Sequence, residues 1–94
     1  SDASYIVPDS YDITGKWKSI GDSGFGQAQP GAIVVFDGNN CNFYSPNDTY
    51  AFYKEDDRYV LDITSVLGES LSQTVNIIDD DNIEIAGTSL KRME

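Results

Sequence analysis

The sequence predicts an all-β fold, an antiparallel up-and-down meander of about seven to eight short strands closed into a small barrel. Three observations carry the expectation. Apolar and polar residues alternate with a period of two in run after run, as over residues 49–54 and 70–78. Turn-forming residues punctuate the chain at short intervals, among them Asp37-Gly38-Asn39-Asn40, Glu55-Asp56-Asp57 and Asp79-Asp80-Asp81-Asn82. Nowhere do apolar residues recur at helical spacing over the ~11 residues that a helix needs. Consecutive tight hairpins favour a meander over a Greek key, and closing the meander on itself removes its exposed edges.

Residues 1–12 read as a linker or arm. Small and acidic residues dominate and Pro8 blocks regular pairing, while Tyr5, Ile6, Val7 and Tyr11 are available to pack against the body. The barrel domain is expected over residues 13–94. Its first strand covers residues 13–20, with Ile13, Gly15, Trp17 and Ser19 on one face and Thr14, Lys16 and Lys18 on the other. The two lysines mark the outer face, so Trp17, the only tryptophan, points inward. Residues 21–31 form a Gly-rich loop. Its Gly24-Phe25-Gly26 lacks the third glycine and the following helix of a dinucleotide-binding loop. Phe25 is read either as a plug folded onto the core or as a lid over an opening.

The second strand covers residues 32–36, apolar on both faces and β-branched. Asp37-Gly38 supplies a hairpin turn, residues 41–45 the third strand, and Pro46-Asn47-Asp48 the next turn. In the fourth strand, residues 49–54, Tyr50 and Phe52 alternate with Ala51 and Tyr53. The fifth, residues 58–66, sets Tyr59, Leu61 and Ile63 against Val60, Asp62 and Thr64. After Leu67-Gly68-Glu69 the sixth strand, residues 70–78, puts Leu71, Gln73, Val75 and Ile77 on one face. Residues 83–85 make a short seventh strand ended by Gly87, and residues 88–93 the last.

Composition bounds the function. Sixteen acidic against six basic residues give a formal net charge of −10 over 94 residues. That sign speaks against nucleic acid, whose phosphates call for Lys and Arg, and against an anionic membrane surface. No apolar run approaches the ~18 residues of a membrane span. The single Cys41 excludes an internal disulfide, and its alternation with Phe43 reads as a small buried hydrophobe. With no His in the chain, neither a Cys–His nor a Ser–His nucleophile is available, so no catalytic residue and no enzyme is expected. The Asp79 to Asn82 acids lack the Gly and Glu positions of a calcium-binding EF-hand loop and read as a turn, so no metal and no cofactor is implied.

The candidate binding residues are aromatic and mid-strand polar side chains. Tyr50 and Tyr59 fall in step with core-facing positions, which leaves Tyr44 and Tyr53 as the better exposed candidates for stacking on a ligand. Asp62, Thr64 and Gln73 are mid-strand polar residues; solvent-facing positions explain them unless the barrel interior is wet, in which case they line a pocket. Phe25, Tyr44, Tyr53 and Gln73 form the expected ligand-binding set.

The Gly15-x-Trp17 of the first strand, with Arg92 (or Lys91) on the last, resembles a feature of lipocalins and their calycin relatives. There a basic side chain from the final strand packs across the Trp of the first, a cation–π contact worth about 0.5–2 kcal/mol. The run from residue 13 to 93 is similar to short lipocalin-like domains of unknown function in secreted or lipid-anchored proteins of Gram-positive bacteria. The matching stretches are Gly15-Lys16-Trp17, Val35-Phe36-Asp37-Gly38, Tyr59-Val60-Leu61-Asp62-Ile63 and Asp79 to Ile85. The chain is shorter than a typical lipocalin and shows no C-terminal helix, which speaks against a cavity of full lipocalin size. The resemblance implies structural roles for Gly15, Trp17 and Arg92. It also implies an extracellular, non-enzymatic binding module, secreted or at the cell surface, for a small apolar ligand, a glycan or a protein partner. The alternative is a structural or interaction domain of a surface protein with no small ligand. A monomer is expected, with any functional site near the residue 21–31 loop. The chain begins at Ser1 rather than Met and reads as a mature or trimmed piece of a longer protein.

Overall fold

Eight strands follow one another in the chain, and each pairs antiparallel with the next: β1 (Gly15–Ser19), β2 (Ile33–Phe36), β3 (Asn40–Cys41), β4 (Asp48–Glu55), β5 (Arg58–Thr64), β6 (Ser70–Asp79), β7 (Asn82–Ile85) and β8 (Thr88–Arg92). β8 returns to β1 with Trp17 opposite Arg92 and Lys18 opposite Lys91, so the sheet closes into a barrel. The structure is a computed structural model and describes residues 4–20 and 29–93. Among these residues there is no helix, as the absence of a 3.6-residue repeat requires.

Alternation decides which side chains enter the barrel. Trp17, Val34, Phe36, Leu61, Ile77, Ile83, Ile85 and Leu90 are buried in one core with Ile13, Cys41 and Phe43, while Lys16, Lys18, Ala51 and Tyr53 face solvent. The inward residues include large rings: Phe52 stacks on Tyr59 at 5.2 Å, and Phe36 meets the Tyr50 ring edge-on at 5.2 Å. The barrel is thus filled by its own side chains, as a short eight-stranded barrel requires.

The ladder departs from strict alternation in two places. The third strand was expected over residues 41–45 but pairs only through Asn40 and Cys41. Past Cys41 the Asn42 carboxamide stands in for the ladder: its Oδ1 accepts the Val35 N–H at 2.7 Å and its Nδ2 donates to the Ile33 carbonyl at 3.0 Å. Main-chain pairing then gives way to a turn gathered by Asp48. The second departure is Val60, expected on the outer face, which is nonetheless buried. It lies opposite Tyr53 and Thr74. Tyr53 donates to Asp62 at 2.9 Å and Arg58 to Thr74 at 2.9 Å, and these reaching side chains cover the valine between them.

The arm, described from residue 4, runs along the barrel. The Ile6 N–H donates to the Ile77 carbonyl at 2.8 Å, next to the bulge where β6 and β7 change register. The Tyr59 hydroxyl donates to the Pro8 carbonyl at 2.7 Å, and the Tyr11 hydroxyl contacts the carbonyls of Asp79 and Asp80 at 2.9 Å.

Candidate functional site

The meander gives the barrel two unlike ends. One carries the start of β1, the end of β8 and the turns β2–β3, β4–β5 and β6–β7. The other carries the remaining four connections.

At the first end one guanidinium gathers the chain. Arg92 donates through Nη2 to the Asp12 carbonyl at 2.8 Å, through Nη1 to Thr14 at 3.1 Å and through Nε to Asp80 at 3.1 Å. Its guanidinium carbon stands 4.2 Å from the centroid of the Trp17 ring, and the Trp17 indole N–H donates to the Ile13 carbonyl at 2.9 Å. Gly15 has φ +135°, and a β-carbon there would lie 3.4 Å from Arg92 Nη1, so glycine suits both the backbone and the neighbour. Of the expected pair, Arg92 rather than Lys91 lies on the indole. Tyr11 packs edge-on against Phe52 and completes the seal. A groove of about 400 Å³ runs beside Arg92 between Tyr11 and Asp80. Three of the guanidinium's five N–H donors already serve carbonyls and the Asp81 carboxylate stands 3.5 Å from Nε, so the groove has little left to offer an anion. This is the closed end.

The opposite, open end is built by two turns. In the β3–β4 connection Phe43 is fully buried and its ring meets Tyr44 edge-on at 4.8 Å, which fixes the tyrosine at the mouth. Asp48, only 1% exposed, accepts the Ser45 N–H at 3.1 Å and the Ser45 hydroxyl, tying the turn together. In the β5–β6 connection Ser65 plays the matching role: its Oγ accepts the N–H groups of Leu67 and Glu69 at 3.2 and 3.3 Å. Gly68, at φ +87°, donates to the Ser65 carbonyl at 2.9 Å. With the backbone of the turn satisfied from within, Val66 and Leu67 are pushed to its tip, 77% and 84% exposed.

Between the two turns lies an open depression of about 440 Å³ lined by Tyr44, Ser45, Asp48, Ile63, Ser65, Glu69, Ser70 and Leu71. Tyr44, Ile63 and Leu71 supply apolar surface. Three serines and two carboxylates supply hydrogen-bonding groups, and no Lys or Arg lines the depression. Burial raises the Tyr44 phenol above the ordinary tyrosine range, and a hydrogen bond donated by the Gln73 amide opposes the rise, so the hydroxyl is neutral at physiological pH.

The sequence-predicted set divides. Tyr44 lines this mouth, while Gln73, which hydrogen-bonds the Tyr44 phenol, is not among the residues lining it. Tyr53 lies away from it on the outer wall, its hydroxyl committed to Asp62, which also accepts from Ser72. Phe25 and residues 21–28 of the expected site loop lie outside the described residues. Sequence reasoning did not single out Asp48, Glu69, Ser65 or Leu71. The one available signal was the Ser45-x-x-Asp48 spacing, which allows a side chain to close a tight turn. Burial pushes the Cys41 thiol up, away from the reactive thiolate form. Among the described residues no group of three or more His, Cys, Asp or Glu side chains is placed to hold a metal ion. No helix among them is long and apolar enough to cross a membrane. No family model, curated protein or solved structure matches the chain.

Proposed function

We propose that this chain is a lipocalin-like, extracellular, non-enzymatic binding module that takes a small ligand at the open mouth of its barrel. The observation that carries the reading is the depression of about 440 Å³, with its apolar surface beside serine hydroxyls and carboxylates. Pockets of this size, mostly apolar with a few polar groups to fix orientation, are the usual shape of small-molecule sites. The filled interior speaks for a ligand at the rim rather than deep inside, and for a compound with one apolar face and one polar face over a long lipid. The lipocalin-like assignment rests on Gly15, Trp17 and Arg92 meeting as that resemblance implies, and the extracellular placement on the resemblance alone. The non-enzymatic reading rests on the chemistry present. The Ser45 hydroxyl donates to Asp48, but an alcohol gives up its proton far less readily than a carboxylic acid, so that pair is a turn clamp rather than an activated nucleophile.

Octyl glucoside below its micellar concentration, neutral with one sugar and one alkyl face, tests the reading in a 1H–15N titration. Saturable shifts at Tyr44, Ser45, Ser65 and Ser70 are expected. Saturable binding mapped to the outer wall at Tyr53, or no saturation, would remove it. A second reading, an interaction domain with no small ligand, draws on the exposed Val66 and Leu67 beside the mouth. It gains if Leu67→Ser abolishes capture of a native protein partner while octyl glucoside produces no shifts.

A further inference from the structure

The depression at the open mouth carries negative charge that nothing positive answers. Asp48, 1% exposed, is one wall of it, and among the described residues its two oxygens accept from neutral donors, the N–H and hydroxyl of Ser45. Glu69, on the facing turn, adds a second carboxylate. All six basic residues stand elsewhere. Lys54 and Arg58 flank the β4–β5 turn, and Arg58 pairs with Glu55 at 3.2 Å. Lys91 and Arg92 end β8 at the closed end, while Lys16 and Lys18 face outward from β1. A carboxylate withdrawn from water and held by neutral groups keeps most of its field, and a counter-charge brought to it recovers part of the lost solvation. Beside it lies the Tyr44 ring, whose π-face attracts a cation.

Building on the mouth as the binding site, we infer that its ligand is an organic cation. A primary or quaternary ammonium group sits against Asp48 and Tyr44, with an apolar chain or ring laid along Ile63 and Leu71. Organic acids are repelled by the same two carboxylates. A metal ion fits poorly, because calcium asks for six to eight oxygen ligands and no group of three or more candidate side chains forms among the described residues. Electrostatic preference of this kind acts through one near contact more than through the net charge of −10, since charges beyond about 8 Å are screened at physiological salt.

The test is calorimetry and 1H–15N titration with hexyltrimethylammonium, neutral 1-heptanol and hexanoate at 0.15 M ionic strength, all well below micelle formation. The cation is expected to bind about tenfold or more tightly than the alcohol, with hexanoate weakest. Asp48→Asn keeps an acceptor for the Ser45 N–H and should drop the cation to the level of the alcohol. Asp57→Asn, the same loss of charge at the far end, should leave it unchanged. Glu69→Gln, in an exposed turn where folding is not at stake, should weaken the cation about two- to fivefold. If cation and alcohol bind the mouth alike and neither Asp48→Asn nor Glu69→Gln discriminates between them, the ammonium inference falls while the mouth reading stands. If Asp57→Asn weakens the cation as much as Asp48→Asn, the attraction is diffuse and the inference falls as well. Calcium displacing the probe from the same residues overturns it in favour of a metal. Silence from all three probes and from octyl glucoside overturns inference and mouth reading together.

Discussion

The two ends of this barrel solve opposite problems with similar materials. At the closed end Arg92 spends its donors on the carbonyls of Asp12, Thr14 and Asp80 and its π-contact on Trp17. At the open end the side chains that hold the β3–β4 and β5–β6 turns are short: Ser45 with Asp48, and Ser65 with its own hairpin. A long cation spans the closed end and joins three segments of chain: the 12–17 stretch, the β6–β7 turn and β8. Short side chains bind only their own turn, so the space between the two turns is left unfilled. Of the exposed apolar side chains, Ile20, Ile33, Val66, Leu67 and Leu71 stand toward this open end, while Ile6 and Val7 lie on the arm and Met93 follows β8 at the closed end. One end is therefore closed by covalently distant contacts, and the other offers unfilled surface.

This contrast predicts where mutations hurt. Trp17→Ala removes a fully buried indole and is expected to destabilise by roughly 3–5 kcal/mol in urea melts. A loss under ~1 kcal/mol would mean that the core does not depend on this ring. Arg92→Met keeps part of the apolar stem but loses three charge-assisted hydrogen bonds and the cation–π contact, for about 1.5–3 kcal/mol. In a double-mutant cycle its effect should couple to that of Trp17→Ala, and strict additivity would dissolve the sealed-end account.

Acid should also act on the closed end. Asp12 accepts the Thr14 N–H, Asp37 the N–H groups of Asn39 and Asn40, and Asp79 the Asn82 side chain and the Asp81 N–H. These bonds hold all three carboxyls below the ordinary value of 3.8. A folded-state value below the unfolded one means that the contribution is complete above 3.8 and is lost as pH falls through the lowered folded values. Amide exchange at the β2–β3 and β6–β7 turns, taken relative to the intrinsic rate at each pH, should therefore rise as pH is taken below 3.8. The comparison is with Asp37→Asn and Asp79→Asn, which should blunt the rise at their own turns. An unchanged acid response in those variants would dissociate the turns from these carboxylates. The smallest stability effect is expected for Leu67→Ser, within about 0.5 kcal/mol of the parent, because the side chain is already in water. A loss above ~1 kcal/mol would place Leu67 in a packed contact after all.

The closed end was legible in two steps: period two turned Trp17 inward, and the resemblance of Gly15-x-Trp17 to lipocalins implied a basic residue of the last strand across it. A single Trp lies two residues after a Gly on an alternating strand, and an arginine closes the last strand. The strand order was legible because period two and turn residues are local signals. The mouth was not. Asp48 reads as an ordinary turn residue, and only the fold shows that it is withdrawn from water between two connections. Asn42 taking over the ladder beside β2, and Val60 buried on the outer wall beneath Tyr53 and Arg58, are likewise tertiary facts that no periodicity encodes. Tyr44 and Tyr53 look alike in the sequence, yet one leans on Phe43 at the mouth and the other reaches Asp62 outside.

The most direct test of the division between the two ends is residue-resolved mapping of bound hexyltrimethylammonium by 1H–15N chemical shifts. Shifts confined to the β3–β4 and β5–β6 turns, around Tyr44, Ser45, Ser65 and Glu69, are the predicted result. Shifts centred instead on Tyr11, Asp80 and Arg92 would contradict it, because they would place binding at the end assigned here to holding the barrel shut.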